Sequence, residues 1–120
     1  LEQWALRDGR PMLGICVGMQ LLADWGDELG GSPGLGWIGG SIVKLPADGP
    51  HCRIPHVGWN DIEFQLPFGD FRVGEHADFY FDHSFALDQP TRAQIMATCQ
   101  HGRAFPAVIA RDALVAAQFH

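Results

Sequence analysis

Cys16 is the residue of this sequence best placed for nucleophilic chemistry. It stands between two glycines in Gly14-Ile15-Cys16-Val17-Gly18, and this spacing matches the nucleophile elbow, a sharp strand-to-helix turn that pushes its central side chain out at the end of a sheet. The dipole and the free amides of a helix N-terminus stabilise a thiolate, so we expect a lowered pKa for Cys16. On these residues alone, a buried cysteine in an ordinary strand–loop–helix remains the alternative.

A nucleophilic cysteine needs a base that accepts its proton and later protonates the leaving group, and histidine has a suitable pKa. Of six histidines, His120 is the best candidate, because it follows the apolar run 114–119, where a strand would end at the same sheet edge as the elbow. Gln20 lies one helical turn beyond Cys16 and is expected to project on the same side. The other five histidines fit structural or solvated positions: His51, His56, His76, His83 and His101.

The composition is that of a single globular domain over residues 1–120, with 47% hydrophobic and 18% charged residues. A formal charge of −6, with eight scattered basic residues, argues against nucleic acid as a partner. We also expect no membrane association, since no apolar run approaches the roughly 20 residues of a membrane span. Three widely spaced cysteines and the lack of a visible secretory signal favour the cytoplasm.

Neither a metal nor a cofactor is predicted. His51, Cys52 and His56 could supply three metal ligands, but no Cys-x-x-Cys or His-Glu-x-x-His spacing accompanies them. The glycine-rich stretch 30–40 reads as a loop with tight turns, because no Gly-x-Gly-x-x-Gly follows a strand there.

The elements that must position Cys16 and His120 are predicted as mixed α/β, helical early and strand-rich late. A helix over 1–6 ends at Asp8-Gly9. After Cys16, apolar residues three to four apart predict a helix that extends to Gly26, with Val17, Leu21, Leu22 and Trp25 on its buried face. Strands are predicted over 11–15, 38–45, 60–64, 77–85, 94–99, 107–110 and 114–119. Short connections favour antiparallel pairing among the later strands, whereas the strand–elbow–helix unit belongs to a parallel sheet.

Several segments together resemble a known family. Residues 11–20, Pro-Met-Leu-Gly-Ile-Cys-Val-Gly-Met-Gln, are similar to the nucleophile segment of class I, triad-type glutamine amidotransferases, and residues 118–120 to the start of their Gln-Phe-His-Pro-Glu segment. Residues 34–38, 55–60 and 79–85 narrow the resemblance to the glutaminase subunits of imidazole glycerol phosphate synthases, and Pro-His-x-Gly-Trp-Asn at 55–60 is the most specific of these blocks.

The resemblance implies a flavodoxin-like mixed sheet flanked by helices, with the first strands of the family's sheet missing before Leu1. Cys16 would attack the side-chain amide of glutamine and form a thioester, with His120 as general base and acid. The amide of Val17 would be an oxyanion donor. Gln20 and the backbone of Ser84 and Phe85 would bind the substrate.

The resemblance also implies a partner. The ammonia would pass to a separate (β/α)₈-barrel cyclase subunit that makes imidazole glycerol phosphate in histidine biosynthesis, so that glutaminase and cyclase form a heterodimer. The residues expected to contact that barrel are Pro55, His56, Trp59 and Asn60.

The sequence departs from the family pattern in several places. The family's third catalytic residue is a glutamate two positions past the histidine, where this chain ends, and a glycine-rich oxyanion segment is absent upstream. We therefore expect a fragment that is truncated at both ends and is poorly folded or inactive by itself. Asp82 stands where an apolar residue is more usual.

Other functions stay open at this point. They are the glutaminase of another class I branch (anthranilate, carbamoyl phosphate or GMP synthesis) and a binding module that has lost its chemistry. A peptide-cleaving cysteine hydrolase is less favoured, because no Cys-Gly-Ser-Cys-Trp context surrounds Cys16.

Overall fold

A computed structural model describes residues 1–120 as ten strands with three short helical segments. The strands are β1 (Met12–Ile15), β2 (Trp25–Gly26), β3 (Ser32–Pro33), β4 (Ser41–Lys44), β5 (His56–Phe64), β6 (His76–His83), β7 (Phe85–Asp88), β8 (Gln94–His101), β9 (Arg103–Arg111) and β10 (Leu114–Ala117). The helical segments are a π-helical turn over Gln3–Arg7, α1 (Val17–Gln20) and a 3₁₀ turn over Glu28–Gly30. No helix has the length and apolar character needed to cross a bilayer.

The strands form two sheets. A six-stranded sheet has the order β1-β10-β9-β8-β5-β6, and a four-stranded sheet has the order β3-β2-β4-β7. In the larger sheet β1 and β10 are parallel, while every other neighbouring pair is antiparallel. The prediction of a mixed α/β fold, with a parallel unit at the elbow and antiparallel pairs later in the chain, is confirmed.

The centre of the larger sheet is buried on both faces. Successive residues of a strand point to opposite sides, and Ile109 and Ala116 belong to one apolar cluster whereas Val108 and Ala117 belong to a second. These residues are paired across β9 and β10, Ala116 with Ile109 and Ala117 with Val108. Apolar side chains therefore pack against β10, the neighbour of β1, on both faces of the sheet.

The seven predicted strands are confirmed, with shifted boundaries, but β2, β3 and most of β7 were not predicted. Each predicted strand overlaps an observed one, and β5 begins at His56, four residues before the predicted start at Asn60. The first helical turn also falls where expected, and it is followed by Gly9 at φ +62°, a backbone conformation that glycine adopts without steric cost.

The prediction of a longer helix after Cys16 is wrong. α1 ends at Gln20, and Trp25 begins β2. Of the four residues predicted to form the buried face, Val17, Leu21 and Trp25 are 62%, 57% and 43% exposed, and only Leu22 is buried. The sheet is thus flanked by short helical segments at this point, and not by a long helix.

Hydrogen bonds from the glycine-rich loop explain why α1 stops. The carbonyl of Leu21 accepts from the amide of Leu35 at 2.8 Å, and the carbonyl of Leu22 accepts from the amide of Trp37 at 2.8 Å. In a continued helix these carbonyls would accept from the amides four residues later. The loop at 30–40 supplies the donors instead, and the chain turns away.

Candidate active site

Cys16 occupies a strained turn between β1 and α1. Its backbone has φ 53° and ψ −111°, a conformation that residues other than glycine rarely adopt. Hydrogen bonds on both sides hold it: the Cys16 amide donates to the carbonyl of Ala117 at 2.7 Å, and the Cys16 carbonyl accepts from the amide of Met19 at 3.0 Å. Such strain persists only where the surroundings fix it, and it is typical of functional sites. The backbone at Cys16 therefore has the character of a nucleophile elbow.

The two flanking glycines make different contributions to this turn. A Cβ atom added to Gly14 would lie 3.0 Å from the carbonyl oxygen of Gly18 and 3.2 Å from its carbonyl carbon. A Cβ atom added to Gly18 would meet no atom within 4 Å. The close approach of α1 to β1 therefore requires a glycine at position 14, but not at position 18.

A cleft of about 180 Å³ opens beside Cys16. Its lining residues are Cys16, Gln20, Glu28, Asp82, His83, Ser84 and Phe85. The structure thus brings four residues singled out in the sequence, Cys16, Gln20, Ser84 and Phe85, to one cleft. Glu28 was missed, because its approach depends on how the 3₁₀ turn after β2 packs and no local sequence pattern reports that.

A larger cleft of about 380 Å³ lies elsewhere, where β8 begins and β9 ends. Its two cationic side chains are already engaged: Arg92 is paired with Asp24, and Arg111 donates to the carbonyl of Trp37. With no nucleophile in its lining, this cleft is the weaker candidate for chemistry.

Gln118 joins Cys16 to the wall of its cleft. The Gln118 side chain is fully buried, and its amide Nε2 donates to Cys16 Sγ at 3.6 Å. Its Oε1 accepts from Gln20 Nε2 at 3.1 Å, and the same Gln20 nitrogen donates to the carbonyl of Phe85 at 3.0 Å. The signal for Gln118 in the sequence is only indirect, since it lies two residues before His120.

The pKa of Cys16 is raised above its ordinary value, so the expectation of a lowered pKa is wrong. Burial is the largest cause, and the Asp82 carboxylate acts in the same direction, while hydrogen bonds from the Val17 amide and the Gln118 side chain oppose both. α1 has only four residues, too few for a strong helix dipole. The site therefore favours the thiol form of Cys16 over the thiolate.

His120 lies at the same sheet edge as Cys16, because the parallel register pairs Ile15 of β1 with Ala117 of β10. The residue is exposed, and its backbone amide donates to the carbonyl of Tyr80 at 2.9 Å. It is not part of the cleft lining. The two residues thus share an edge, as their predicted elements imply, without sharing the cleft.

His83 is the histidine that lines the cleft, yet both of its ring nitrogens are engaged. Nδ1 lies 2.8 Å from the carbonyl oxygen of Phe85, and Nε2 lies 2.8 Å from Nδ1 of His56. Burial lowers the pKa of His83 despite the opposing Phe85 carbonyl. A ring held in this way is a structural group and leaves the role of base open for His120.

The residues expected to contact a partner divide into surface and interior. Trp59 is 75% exposed and packs edge-on against Tyr80, with ring centroids 5.8 Å apart. Pro55 is exposed and Asn60 is half-buried, whereas His56 is only 4% exposed. A partner that reaches this part of β5 would meet Trp59 and Pro55, and not the ring of His56.

Comparison with known proteins decides the family. The family model described as glutamine amidotransferase class-I matches residues 1–120. The chain belongs to the class-I glutamine amidotransferases.

The relatives of this amidotransferase chain include two curated proteins named imidazole glycerol phosphate synthase subunit HisH. The protein from Zymomonas mobilis is 45% identical over 121 residues, which cover 100% of this chain and 55% of the relative. The protein from Rhodospirillum rubrum is 44% identical over 124 residues, which cover 100% of this chain and 57% of the relative. The chain therefore spans about half the length of the curated relatives it matches.

A solved structure shares the fold. A glutamine amidotransferase from Thermotoga maritima superposes with a TM-score of 0.65 at 22% identity, over 97% of this chain and 42% of that one. At this identity the likeness concerns the fold alone, and it agrees with the predicted amidotransferase-like α/β class.

Substitutions at the two elbow glycines should have opposite effects. Gly14→Ala forces its new methyl group against the Gly18 backbone and should destabilise the fold by about 1–3 kcal/mol. Gly18→Ala places its new methyl group in open space and replaces a glycine within α1, so it should be neutral or stabilise the fold by up to about 1 kcal/mol. Urea unfolding of both variants measures the difference. Equal stability of the two variants would contradict the packing of α1 on β1.

Alkylation by iodoacetamide should report the raised pKa of Cys16. Because the thiolate is the reactive form, the Cys16 alkylation rate should reach its midpoint at a higher pH than that of an unstructured cysteine peptide. Asp82→Asn removes a negative charge that disfavours the thiolate, so it should lower the midpoint. Asp78→Asn, on the same strand, serves as the control, and peptide mass spectrometry follows each site. A wild-type midpoint below that of the peptide would refute the burial argument.

Proposed function

We propose that the protein containing this chain is the glutaminase subunit of an imidazole glycerol phosphate synthase, which hydrolyses glutamine to glutamate and ammonia. The observation that carries the proposal is the strained elbow at Cys16, which opens onto a cleft that Gln20, Ser84 and Phe85 also line. The similarity to two subunits named HisH over the full length of this chain supports the histidine-pathway branch over other class I branches.

In the first half of the reaction, His120 removes the proton of Cys16 and the sulfur attacks the side-chain amide carbon of glutamine. The oxyanion that forms accepts a hydrogen bond from the Val17 amide, a group that already lowers the pKa of Cys16 against the effect of burial. His120 returns the proton to the amide nitrogen, the carbon–nitrogen bond breaks and ammonia leaves. The product on the enzyme is a γ-glutamyl thioester.

In the second half, water replaces the sulfur. His120 accepts a proton from the water as it attacks the thioester carbon, and the carbon–sulfur bond breaks to release glutamate. The thiol of Cys16 regains a proton and the site returns to its resting form. The raised pKa of Cys16 makes this base necessary, because few molecules carry a thiolate at neutral pH without one.

The hydrogen bonds around Gln20 refine its proposed role in binding the substrate. Both hydrogens of Nε2 are used, one by the Phe85 carbonyl and one by Gln118 Oε1. Its own Oε1 remains as the free group, so Gln20 acts as an acceptor toward glutamine. The ammonium group of the substrate is the donor that matches it.

The proposed partner is a (β/α)₈-barrel cyclase that forms a heterodimer with this subunit in the cytoplasm and uses the ammonia in a lyase reaction. Trp59 on β5 and Pro55 directly before β5 supply the contact surface. Large exposed aromatic side chains are enriched among residues that dominate binding energy, and Trp59 is 75% exposed. This exposure supports a partner on that face.

Labelling with diazo-oxo-norleucine, an electrophilic analogue of glutamine, tests the nucleophile. In the complete gene product we expect covalent modification of Cys16 by peptide mapping, with no labelling and a loss of at least about 10³-fold in glutaminase activity in Cys16→Ala. Cys52→Ala is the matched control and should label normally.

One outcome would refute the assignment of the nucleophile, and another would contradict only the expectation that this chain is inactive by itself. Labelling of Cys52 or Cys99 in place of Cys16 would refute the assignment of the nucleophile. Labelling of Cys99 is disfavoured because burial raises its pKa to about 12. Hydrolysis of glutamine by residues 1–120 alone, lost in Cys16→Ala, would contradict the expectation that this chain is inactive by itself.

Replacement of Trp59 tests the partner. Trp59→Ala should weaken binding of the complete gene product to its barrel cyclase by tenfold or more, as expected for an interface hot spot of about 2 kcal/mol. Trp25→Ala removes another half-exposed indole, on the four-stranded sheet, and should leave the affinity unchanged. Isothermal titration calorimetry measures both. An unchanged affinity in Trp59→Ala would place the contact elsewhere.

A further inference from the structure

We propose that His56 and His83 are positioning residues: with Asn60 they form a hydrogen-bond chain of fixed direction that holds the Phe85 carbonyl and, through it, the side chain of Gln20. The role in catalysis rests on the glutaminase function proposed above. The chain of hydrogen bonds itself follows from distances and donor counts alone.

The direction of the chain is fixed first at Asn60. Its Oδ1 accepts from the amide of Asp61 at 2.8 Å, and its Nδ2 donates to the carbonyl of Gln100 at 3.1 Å. These two bonds determine which end of the amide is nitrogen. The remaining hydrogen of Nδ2 points to His56 Nε2 at 3.0 Å. That ring nitrogen must therefore be an acceptor without a proton, and the proton of His56 lies on Nδ1.

The opposite end of the chain gives the same answer. A carbonyl oxygen can only accept, so His83 Nδ1, which lies 2.8 Å from the Phe85 oxygen, carries the proton. His83 Nε2 is then bare and accepts from His56 Nδ1 at 2.8 Å. Both ends assign the Nδ1–H tautomer to both rings. The bonds run in one direction, from Asn60 through His56 and His83 to Phe85.

Packing holds the two rings in the planes that these bonds need. The His56 ring stacks on Phe81, with centroids 4.7 Å apart, and on His101, with centroids 4.1 Å apart. The ring of His83 stands edge-on to Phe105 at 5.1 Å. Burial, followed by the neighbouring histidines His101 and His83, lowers the pKa of His56 to about 4. Both rings are thus neutral at pH 7, as the donor count requires.

The chain continues from Phe85 toward the nucleophile. The Phe85 carbonyl accepts from both His83 and Gln20, which uses its two lone pairs. Gln20 donates in turn to Gln118, and Gln118 donates to Cys16 Sγ. Hydrogen bonds therefore connect Asn60, beside the exposed Trp59 on β5, with the cleft at Cys16.

This arrangement assigns His56 and His83 an effect on substrate binding. Loss of the donor at His56 leaves His83 Nε2 buried without a partner, which favours a ring that turns away from Phe85. The Phe85 carbonyl and the Gln20 amide then lose their common anchor. Because this anchor acts before and during the reaction, its loss should raise KM more than it lowers kcat.

A matched pair of substitutions tests the effect in the complete gene product. His56→Asn and His56→Leu have the same number of side-chain non-hydrogen atoms and the same branching, but only Asn keeps a nitrogen donor where His56 Nδ1 lies. We expect His56→Leu to raise the KM for glutamine about tenfold with kcat within about threefold of the wild type, and His56→Asn to restore KM to within about threefold. Equal KM values for the two variants, or a fall in kcat alone, would overturn the proposal.

The ¹⁵N NMR shifts of the histidine rings give an independent measurement in the wild-type protein. We expect His56 and His83 both as neutral Nδ1–H tautomers at pH 7. An Nε2–H tautomer or a charged ring at either residue would overturn the proposed hydrogen-bond chain. Because the measurement uses the wild-type protein, it decides the proposal even where a His56 variant fails to fold.

Failure of the proposed function has a different signature. It would show as a wild-type protein that neither hydrolyses glutamine nor labels at Cys16, whatever the tautomers are.

Discussion

Parallel pairing of β1 with β10 is the constraint on which the rest of the site depends. It joins two segments about a hundred residues apart in sequence and places Cys16 beside Gln118, with a 2.7 Å hydrogen bond from the Cys16 amide to the carbonyl of Ala117. Apolar clusters bury β10 on both faces, so this strand gives the strained elbow a rigid neighbour. Without that support, a cysteine at φ 53° would relax to an ordinary conformation.

The site combines two requirements that oppose one another. A nucleophile must be shielded enough to bind and orient an amide, yet burial disfavours the thiolate that attacks. In this chain burial prevails, and the Asp82 carboxylate adds to it. The consequence is a thiol whose hydrogen bonds from Val17 and Gln118 favour the charged sulfur, which is the form that the proposed reaction needs after a base has removed the proton.

The polar interior is organised by hydrogen bonds and carries little charge. His56 and His83 are buried, and a hydrogen bond from His56 Nδ1 to His83 Nε2 joins the two rings. Buried polar groups are costly unless every donor and acceptor is matched. The matched chain from Asn60 to Phe85 therefore specifies one arrangement of β5, β6 and β7, the strands that carry the exposed Trp59 and the wall of the cleft.

Much of the fold could be predicted from local patterns. Short apolar runs and alternating patterns predicted seven of the ten strands, and short connections predicted antiparallel pairing among the later ones. The prediction of a longer helix after Cys16 failed because the carbonyls of Leu21 and Leu22 accept hydrogen bonds from a loop more than ten residues away. The periodicity of apolar residues gives no sign of such distant donors. The same limit hid Glu28 at the cleft and Gln118 beneath Cys16.

The sequence by itself determined the elbow, most of the strands and the family, because these follow from residue types at short, fixed spacings. Only the tertiary structure decided the direction of the pKa shift at Cys16, the length of α1 and the pairing of His56 with His83. Each of these depends on desolvation or on hydrogen-bond partners that distant parts of the chain supply. A residue's charge state and bonding partners are set by what surrounds it in space, and in this chain those surroundings come from strands far apart in sequence.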